Sequence, residues 1–448
     1  MNGSPTGSRL NPSRQLAYRV QPVRAVRGTL AVPGDKSISH RALMLAGIAD
    51  GRTSVGGFLE SEDCLATLAA MRALGVPVAR TAPESVAIDG VGLRGLKGSA
   101  TALDMGNSGT AMRLLTGLLA GQRFDSELIG DASLMRRPME RVASPLREMG
   151  ARIDTQSGRP PVRISGNAEL RAIRYQVPVA SAQVKSAILL AGLYARGTTV
   201  LTEPAVTRDH SERMLQAFGV RVQMQGRNIE LEPPNRLQAC HIDVPGDFSS
   251  AAFFIVAACL AAEGVLTLRN VGINPSRTGL LDALRLMGAE IRIVRERAAG
   301  AEPVADIEIE RRELHGAAIP AELVPLAIDE FPALFVAAAC ARGETLVTGA
   351  EELRVKESDR IATMAEGLQT LGVRTAVHAD GMRVFGGRMG GGRIDSHGDH
   401  RIAMAFAIAS VRAEQPIEIA DVGNVATSFP GFVDVARSAG LDIQVREA

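Results

Sequence analysis

The stretch Val32-Pro-Gly-Asp-Lys-Ser37 occurs a second time as Val244-Pro-Gly-Asp-Phe-Ser249, which by subtraction lies 212 residues further along the chain. Both copies are typical of a strand, a turn and a helix start. The duplication predicts two homologous halves that join where the two copies lie. A strand at about 18–31 precedes the first copy, and we expect it to belong with the second half. The chain would then cross between the halves twice.

A shorter pattern recurs six times, in which a helical run ends in a glycine turn and becomes a short strand. The six turns are ALGVPV at Gly75, EMGARI at Gly150, AFGVRV at Gly219, LMGAEI at Gly288, TLGVRT at Gly372 and SAGLDI at Gly440. By subtraction, successive glycines lie 75, 69, 69, 84 and 68 residues apart, which indicates one unit used six times. Residues that carry chemistry should then appear as departures from the repeat.

Each unit also contains a run rich in Ala, Leu and Met, between a polar start and a Thr/Val strand. The six runs are 35–55, 107–129, 181–201, 247–268, 329–347 and 399–419. Their small side chains favour closely packed helices, and an amphipathic helix is expected after each, as at 139–149. Each unit is therefore predicted to run strand, buried helix, strand, amphipathic helix, strand. The predicted limits are a disordered tail at 1–17, a first half at 34–244, and a second half at 18–33 plus 245–448.

The composition argues against several classes of protein. The net charge of the 448 residues is +1, aromatic residues make up 3% and Trp is absent, so nucleic-acid binding is not expected. No apolar run approaches the roughly 20 residues that span a bilayer, and the first 15 residues lack the apolar segment of a secretory signal. The four cysteines and seven histidines show no metal-ligand spacing. We expect a cytoplasmic protein that binds neither metal nor membrane.

Basic residues stand at helix starts, where the helix dipole favours negative charge. The first buried helix begins Asp35-Lys36-Ser37-Ile38-Ser39-His40-Arg41, although a cation in the first turn opposes the dipole by about 0.3–1 kcal/mol. An anionic ligand above this helix would resolve the conflict, and a solvated cap is the alternative. Basic or hydroxyl-bearing starts recur near Arg113, Arg137, Ser181, Arg208, Lys356, Arg360 and Arg401. Their recurrence favours a cleft that binds one or two small polyanionic substrates.

Carboxylates at the same helix starts are the acid–base candidates. Asp329 stands at one start, and Glu357 lies within the charged run 354–360 at another. A carboxylate among cations stays ionised, which suits a general base. The alternative for Asp329 is a plain N-cap, the role that best explains Asp247 and Asp399.

Seven motifs together resemble the 5-enolpyruvylshikimate-3-phosphate synthase family of enolpyruvyl transferases. They are PGDKSISHRAL, GNSGTAMRL, DASLMRRPMERV, ASAQVKSAILLAGL, TRDHSERM, EELRVKESDR and DHRIAMAFAIA, and the resemblance runs from about Val20 to the C-terminus. It implies an α/β fold built of α+β repeats, a two-domain inside-out barrel. Each domain would hold three βαβαββ-type units with helices packed inside, and the active site would lie between the domains.

The resemblance also implies a reaction in the shikimate pathway to chorismate and the aromatic amino acids. The carboxyvinyl group of phosphoenolpyruvate would pass to the 5-hydroxyl of shikimate 3-phosphate by addition and elimination, with release of phosphate. It implies no metal or organic cofactor, no partner beyond these two small-molecule substrates, and a monomer. The alternative is the UDP-N-acetylglucosamine enolpyruvyl transferase. That family has Lys-Asn where this chain has Lys36-Ser37, and usually a loop cysteine, whereas no cysteine lies here between Cys64 and Cys240.

The family's roles transfer to this chain motif by motif. The resemblance assigns shikimate 3-phosphate binding to Lys36, Ser37, Arg41, Ser181, Ala182, Gln183, Arg208, Asp329 and Lys356. It assigns phosphoenolpyruvate binding to Lys36, Asn107, Gly109, Arg137, Gln183, Arg360 and Arg401. It implies that Asp329 takes the proton of the attacking hydroxyl, that Glu357 transfers a proton at the methylene carbon, and that Lys36 acts as an acid.

Two positions depart from the family pattern. Many members have Lys just before the Thr-Phe-Pro near the C-terminus, whereas this chain has Ala426-Thr427-Ser428-Phe429-Pro430. Gly109 stands where glyphosate-tolerant members of the same bacterial branch often carry Ala. A methyl group there would crowd glyphosate more than the shorter phosphoenolpyruvate. We therefore expect glyphosate to compete with phosphoenolpyruvate in this protein.

Overall fold

The computed structural model describes residues 16–167 and 169–447, which form thirteen α-helices and 23 strands in six sheets. The helices are α1 (Lys36–Gly47), α2 (Glu62–Ala73), α3 (Gly109–Ala120), α4 (Glu140–Glu148), α5 (Ala182–Gly192), α6 (His210–Ala217), α7 (Phe248–Leu260), α8 (Gly279–Leu286), α9 (Val324–Ala327), α10 (Phe331–Cys340), α11 (Arg360–Thr370), α12 (His400–Ala409) and α13 (Phe432–Ser438). Short 3-10 helices lie at Leu134–Arg136, Ala321–Leu323, Glu351–Val355 and Gly423–Thr427.

The strands follow the repeat along the chain. They are β1 (Leu16–Gln21), β2 (Gly28–Ala31), β3 (Asp50–Gly56), β4 (Val78–Ala82), β5 (Ser85–Val91), β6 (Leu103–Asp104), β7 (Ser126–Ile129), β8 (Arg152–Gln156), β9 (Arg159–Ser165), β10 (Arg174–Gln176), β11 (Thr199–Thr202), β12 (Val222–Gln225), β13 (Asn228–Leu231), β14 (His241–Asp243), β15 (Val265–Gly272), β16 (Glu290–Ala299), β17 (Glu302–Glu310), β18 (Glu344–Val347), β19 (Thr375–His378), β20 (Gly381–Phe385), β21 (Gly392–Asp395), β22 (Ile417–Ala420) and β23 (Asp442–Glu447).

The six repeated glycines close six helices, as the sequence predicts. All six have positive φ, between 82° and 104°, and they follow α2, α4, α6, α8, α11 and α13. At the first turn, Gly75 N donates to Arg72 O and Val76 N donates to Met71 O, both at 3.0 Å. These bonds satisfy the last carbonyls of the helix, and a residue with a Cβ would be strained at this φ.

The same sheet pattern recurs in five of the six units within the described part of the chain. A parallel pair is followed by two antiparallel pairs, as in the order β14-β3-β5-β4 and in β6-β7-β9-β8, β10-β11-β13-β12, β2-β15-β17-β16 and β21-β22-β1-β23. The fifth unit has only β18-β20-β19, and isolated parallel bridges from His315 and Ala318 stand in for its first strand. The repeated α/β architecture is therefore confirmed, with one unit reduced.

Two separate hydrophobic cores lie beneath these sheets. One contains buried residues from Ile38 to Val244, including α1, α3 and α5, and the other contains residues 18–32 together with residues from Phe248 onward, including α7, α10 and α12. The six helices from the Ala-rich runs are thus buried, and the fold is two-domain with helices inside. The limits 34–244 and 18–33 plus 245–448 stay a prediction. Strand β1 begins at Leu16, and residues 1–15 of the predicted tail lie outside the described residues.

The two copies of the Val-Pro-Gly-Asp motif lie side by side where the chain crosses between the halves. Gly34 and Gly246 form an antiparallel bridge; Asp35 N donates to Pro245 O and Asp247 N donates to Pro33 O, both at 2.8 Å. A Cβ on Gly34 would lie 1.8 Å from a backbone oxygen, so only glycine fits there. The crossing brings the starts of α1 and α7 together beside one cleft.

Candidate active site

One large cavity of about 390 Å³ lies between the two halves. The first residues of five helices of ten or more residues line it, namely Lys36, Gly109, Ala182, Arg360 and His400, and so does Val324 at the start of the short α9. The first N–H groups of a helix have no partner within the helix, and the dipole favours negative charge beside them. The cavity is therefore built to receive anions, as the basic helix starts indicated.

The side chains around the cavity carry an excess of positive charge. Nine lysines and arginines line it against six aspartates and glutamates, which leaves three positive charges in a chain whose net charge is +1. Burial, followed by repulsion from Arg141 and Arg137, lowers the pKa of Arg113 to about 9. A cation held this close to other cations is stabilised when an anion enters.

Asp329 lies at the centre of a cluster of cations that come from both halves. Its Oδ2 accepts a hydrogen bond from Arg208 Nη2 at 2.5 Å, and its Oδ1 lies 3.3 Å from Arg360 Nη1 and 3.7 Å from Lys356 Nζ. Burial alone would raise the pKa of Asp329, but Arg208 and then Arg401 lead the charges that hold it well below its usual range. The N-cap alternative does not fit, because α10 begins after Glu330 and has no side-chain cap.

Glu357 joins two of the arginines that were assigned to phosphoenolpyruvate. Its Oε1 lies 3.1 Å from Arg137 Nη1 and its Oε2 accepts from Arg360 Nη2 at 2.6 Å. Burial would raise the pKa of Glu357, and Arg137 and Arg360 outweigh it and keep that pKa well below the usual value. Arg137 comes from the first half and Glu357 from the second, so this ion pair spans the cleft.

Lys36 lies at the start of α1 between the two halves. Its Nζ donates to Asp63 Oδ2 at 2.5 Å and to Ser428 Oγ at 2.6 Å. Ser428 Oγ also lies 3.0 Å from His400 Nε2, and burial, with the charges of Lys36 and Arg401, keeps the pKa of His400 well below its usual value. A neutral His400 can accept a hydrogen bond at Nε2, which is consistent with donation by the hydroxyl of Ser428. The segment 426–430, which lacks the lysine found in many family members, thus supplies the hydroxyl of Ser428 to Lys36.

Gln183 contacts the arginine cluster of the first half, which consists of Arg113, Arg137 and Arg141. Its Oε1 accepts from Arg113 Nη1 at 2.5 Å, and its Nε2 donates to Thr110 Oγ1 at 2.9 Å. Ser181 caps α5 by accepting from Val184 N at 3.4 Å. The starts of α3 and α5 are therefore held together at one wall of the cavity.

The structure gathers most of the predicted site residues around this cavity. Those that line it are Lys36, Ser37, Gly109, Arg137, Ser181, Ala182, Gln183, Arg208, Asp329, Lys356, Glu357, Arg360 and Arg401. Arg41 and Asn107 are not among its lining residues. Arg41 lies one turn deeper on α1 and donates to Ser37 O, Ser186 Oγ and Ser211 Oγ, while Asn107 Oδ1 accepts from Arg137 Nη2 at 2.6 Å. Arg41 therefore lies beneath residues that reach the cavity, and Asn107 contacts one of them.

Sequence reasoning missed several charged residues of the same cavity. Asp63 pairs with Lys36, and Arg141 Nη1 bonds to both carboxylate oxygens of Glu352, at 2.9 and 3.1 Å, across the cleft. Asp63 follows a serine cap in the first turn of α2, a pattern that by itself indicates only an ordinary helix start. The partners lie 27 and 211 positions apart, so neither pairing had a local signal.

A buried ion cluster supports the wall that carries Arg208. Lys185 Nζ lies 2.8 Å from Glu212 Oε1, 3.0 Å from Glu203 Oε2 and 3.3 Å from Thr207 O. The three charged side chains are 3% exposed or less. Burial would lower the pKa of Lys185, and the two glutamates reverse this and raise it. Lys185 thus fixes the loop that ends in Arg208.

Three comparisons with known proteins agree with this fold. The EPSP synthase (3-phosphoshikimate 1-carboxyvinyltransferase) family profile matches residues 20–436. A 3-phosphoshikimate 1-carboxyvinyltransferase of Alkalilimnicola ehrlichii is 60% identical over 428 residues, 95% of this chain and 96% of that protein. The Methylococcus capsulatus protein of the same name is 58% identical over 433 residues, 96% of this chain and 99% of that protein. The solved EPSP synthase of Acinetobacter baumannii has a TM-score of 0.86 and 52% identity, covering 96% of this chain and 100% of that one.

The family profile and these relatives show that the chain is an enolpyruvyl transferase. Within that class, the chain belongs to the EPSP synthase family, which confirms the resemblance found from the motifs. These relatives do not favour the alternative that uses UDP-N-acetylglucosamine. No helix in the described residues is long and apolar enough to cross a membrane.

Proposed function

We propose that this chain transfers the carboxyvinyl group of phosphoenolpyruvate to the 5-hydroxyl of shikimate 3-phosphate and releases phosphate. The observation that carries the proposal is the excess of three positive charges in one cavity at the starts of five long helices. Two phosphorylated substrates repel each other, by about 4 kcal/mol for two unit charges at 4 Å and an effective dielectric constant of 20. An excess of fixed cations offsets this repulsion before reaction begins.

Asp329 is the proposed base for the 5-hydroxyl. Its low pKa keeps it ionised at any working pH, so the carboxylate is ready to accept a proton. Arg208 is also a proposed ligand of shikimate 3-phosphate, and it gives up part of its contact with Asp329 when it binds that substrate. Loss of this partner raises the pKa of Asp329 toward the range in which a base is effective.

Glu357 is the proposed partner for proton transfer at the methylene carbon. Addition requires an acid there and elimination requires a base. Glu357 is ionised while Arg137 lies 3.1 Å away. When Arg137 turns to the phosphate of phosphoenolpyruvate, the pKa of Glu357 rises, which is the direction that proton donation needs. Arg137 would thus bind phosphoenolpyruvate and at the same time raise the pKa of Glu357. Lys36 is the second proposed acid, and it is proposed to bind both substrates.

The remaining assigned residues are proposed as ligands of the two substrates. Ser37, Ser181, Ala182, Gln183, Lys356 and, from beneath, Arg41 support shikimate 3-phosphate; Asn107, Gly109, Arg360 and Arg401 support phosphoenolpyruvate. The protein is further proposed to act as a cytoplasmic monomer. Sedimentation equilibrium checks the oligomeric state, and a concentration-dependent dimer mass would contradict the monomer.

The first experiment measures phosphate release from phosphoenolpyruvate with two competing acceptors, shikimate 3-phosphate and UDP-N-acetylglucosamine. The proposal expects release that depends on shikimate 3-phosphate and equals the carboxyvinyl product formed, as measured by mass spectrometry. Release that depends on the sugar nucleotide alone, or no release with the shikimate, would overturn it.

The second experiment replaces the proposed base. Asp329→Asn keeps the shape of the side chain and removes its basicity, so kcat should fall by about 100- to 10,000-fold. The matched control is Glu351→Gln, an exposed carboxylate on the rim of the same cavity, which should keep kcat within about twofold. Near-normal turnover of Asp329→Asn with both substrates saturating would rule out Asp329 as the base.

A further inference from the structure

The two crossing segments end in aspartates that cap the first helix of each half. Asp35 Oδ1 accepts from Ile38 N at 2.9 Å at the start of α1, and Asp247 Oδ1 accepts from Ser249 N at 3.0 Å at the start of α7. Both side chains are buried, at 3% and 6% exposure. Two carboxylates placed so close in the interior need a shared cation.

Arg277 supplies that cation from the loop between β15 and α8. Its Nη1 bonds to Asp35 Oδ2, and its Nη2 donates to Asp247 Oδ1 at 3.1 Å and to Ser249 Oγ at 2.6 Å. The residue is 3% exposed and lines the cavity. Each terminal nitrogen of one planar guanidinium thus contacts the cap of a different half, an arrangement that a lysine ammonium cannot reproduce at both sites.

The contacts of Arg277 continue to both sides of the proposed chemistry. Asp35 directly precedes Lys36 in the chain. On the other side, Ser249 Oγ donates to Glu330 Oε1, and Glu330, which is 1% exposed, directly follows Asp329. A short hydrogen-bonded path therefore joins the backbone that carries Lys36 to the backbone that carries Asp329.

We propose that Arg277 is a positioning residue, which sets the separation of Lys36 and Asp329 by holding the starts of α1, α7 and α10 in register. The inference rests on the proposed function, because it takes Lys36 and Asp329 as the acid and the base. Both terminal nitrogens of Arg277 are engaged with protein atoms, so it contributes geometry rather than substrate binding. A misplacement of about 1 Å in such a pair lowers the rate about 100-fold while leaving the ligand contacts in place.

The test is Arg277→Lys, which keeps the charge between the two aspartates but cannot contact both caps with a fork of nitrogens. We expect kcat to fall at least tenfold, while the Kd of shikimate 3-phosphate measured by calorimetry stays within threefold of the natural value. The matched control is Arg213→Lys, another arginine at the boundary of the halves, which bonds to Asp209 and Ala301 O. It should change neither constant by more than twofold.

Two results would overturn the proposal. A lower melting temperature with unchanged kcat would make Arg277 a purely structural charge, and a raised Kd with unchanged kcat would make it a substrate ligand. If Arg277→Lys does not fold, Ser249→Ala is the second variant, because it breaks the hydrogen-bonded path to Glu330 without removing a charge. This variant should lower kcat severalfold at constant Kd. An unchanged kcat of Ser249→Ala would also refute the positioning role of Arg277. The natural protein is assayed alongside, and failure of its own transfer reaction refutes the proposed function instead.

Discussion

Replacement of Gly109 by alanine tests whether phosphoenolpyruvate and glyphosate share the arginine cluster of the first half. A Cβ at this position would lie 2.9 Å from Arg113 Nη1 and 3.1 Å from Arg137 Nη1, whereas an ordinary contact begins near 3.4 Å. The two guanidinium groups must therefore move by about 0.5 and 0.3 Å. The same two nitrogens bond to Gln183 and Glu357, so the movement should disturb those bonds.

The expected size of the effect follows from those bonds. A hydrogen bond to a charged group contributes about 1.5–3 kcal/mol. Loss of about 1 kcal/mol of binding corresponds to a roughly fivefold rise in the KM of phosphoenolpyruvate, with kcat little changed. Glyphosate is longer and requires the space that the methyl group fills, so its Ki should rise at least tenfold more than that KM.

The assay is steady-state phosphate release at several fixed glyphosate concentrations, for the natural protein and for Gly109→Ala. Gly387→Ala is the control, because a Cβ at Gly387 has no neighbour within 4 Å and φ there is not positive. It should leave both constants unchanged. The reasoning fails if Ki rises no more than KM, or if the natural protein is inhibited no more strongly than the variant.

Three other changes should have measurable effects. Lys185→Met leaves two buried glutamates without their cation and should lower the free energy of unfolding by about 3–5 kcal/mol in urea titrations. The control Lys97→Met, at an exposed lysine, should change that free energy by less than about 0.5 kcal/mol. Equal effects of the two variants would refute the role of the buried Lys185 ion cluster. Arg141→Gln removes the partly exposed ion pair with Glu352 across the cleft, so the KM of both substrates should rise about two- to fivefold at low salt. Salt screens such a pair, so the difference in KM between variant and natural protein should shrink at 1 M salt. A rise in KM that does not depend on salt would contradict this explanation. Burial raises the pKa of Asp35, but Arg277 and other partners outweigh burial and lower that pKa from 3.8 to about 2. The ionised carboxylate therefore contributes roughly 2 kcal/mol of stability above pH 4, and this contribution is lost as the pH falls through 2. The stability advantage of the natural protein over Asp35→Asn should shrink in acid unfolding measurements, and a difference that is constant with pH would refute this reasoning.

The sequence was sufficient to predict the repeated architecture because its signals are local. A glycine that must adopt positive φ and an Ala-rich buried helix each leave a pattern within a few neighbouring residues. The basic residues at helix starts are also a local signal. A cation in the first turn opposes the helix dipole unless an anion is near, so these residues predict an anion-binding site. The reduced fifth unit was not foreseen, because the isolated bridges of His315 and Ala318 leave no strand-like run.

The parts of the site that escaped prediction depend on pairs that are distant in the chain. Arg277 meets Asp35 over a separation of 242 residues, and Arg141 meets Glu352 over 211. No periodicity links such residues before the chain is folded. Arg41 shows a second limit. It lies four positions after Ser37 on the same face of α1, and only the packing against Ser186 and Ser211 decides that it stays beneath the cavity wall.

The pairing of the first strand has a consequence for synthesis on the ribosome. Strand β1 lies between β22 and β23, with Tyr18 opposite both Ile419 and Val445. The first core uses only residues between Ile38 and Val244 and can close while translation continues. In the second core, β1 stays unpaired until β22 and β23 have emerged, whereas β2 can pair with β15 once residue 272 has been made. Strand β1 therefore remains unpaired for longer than β2, and nascent chains stalled before residue 417 should keep β1 accessible to proteases.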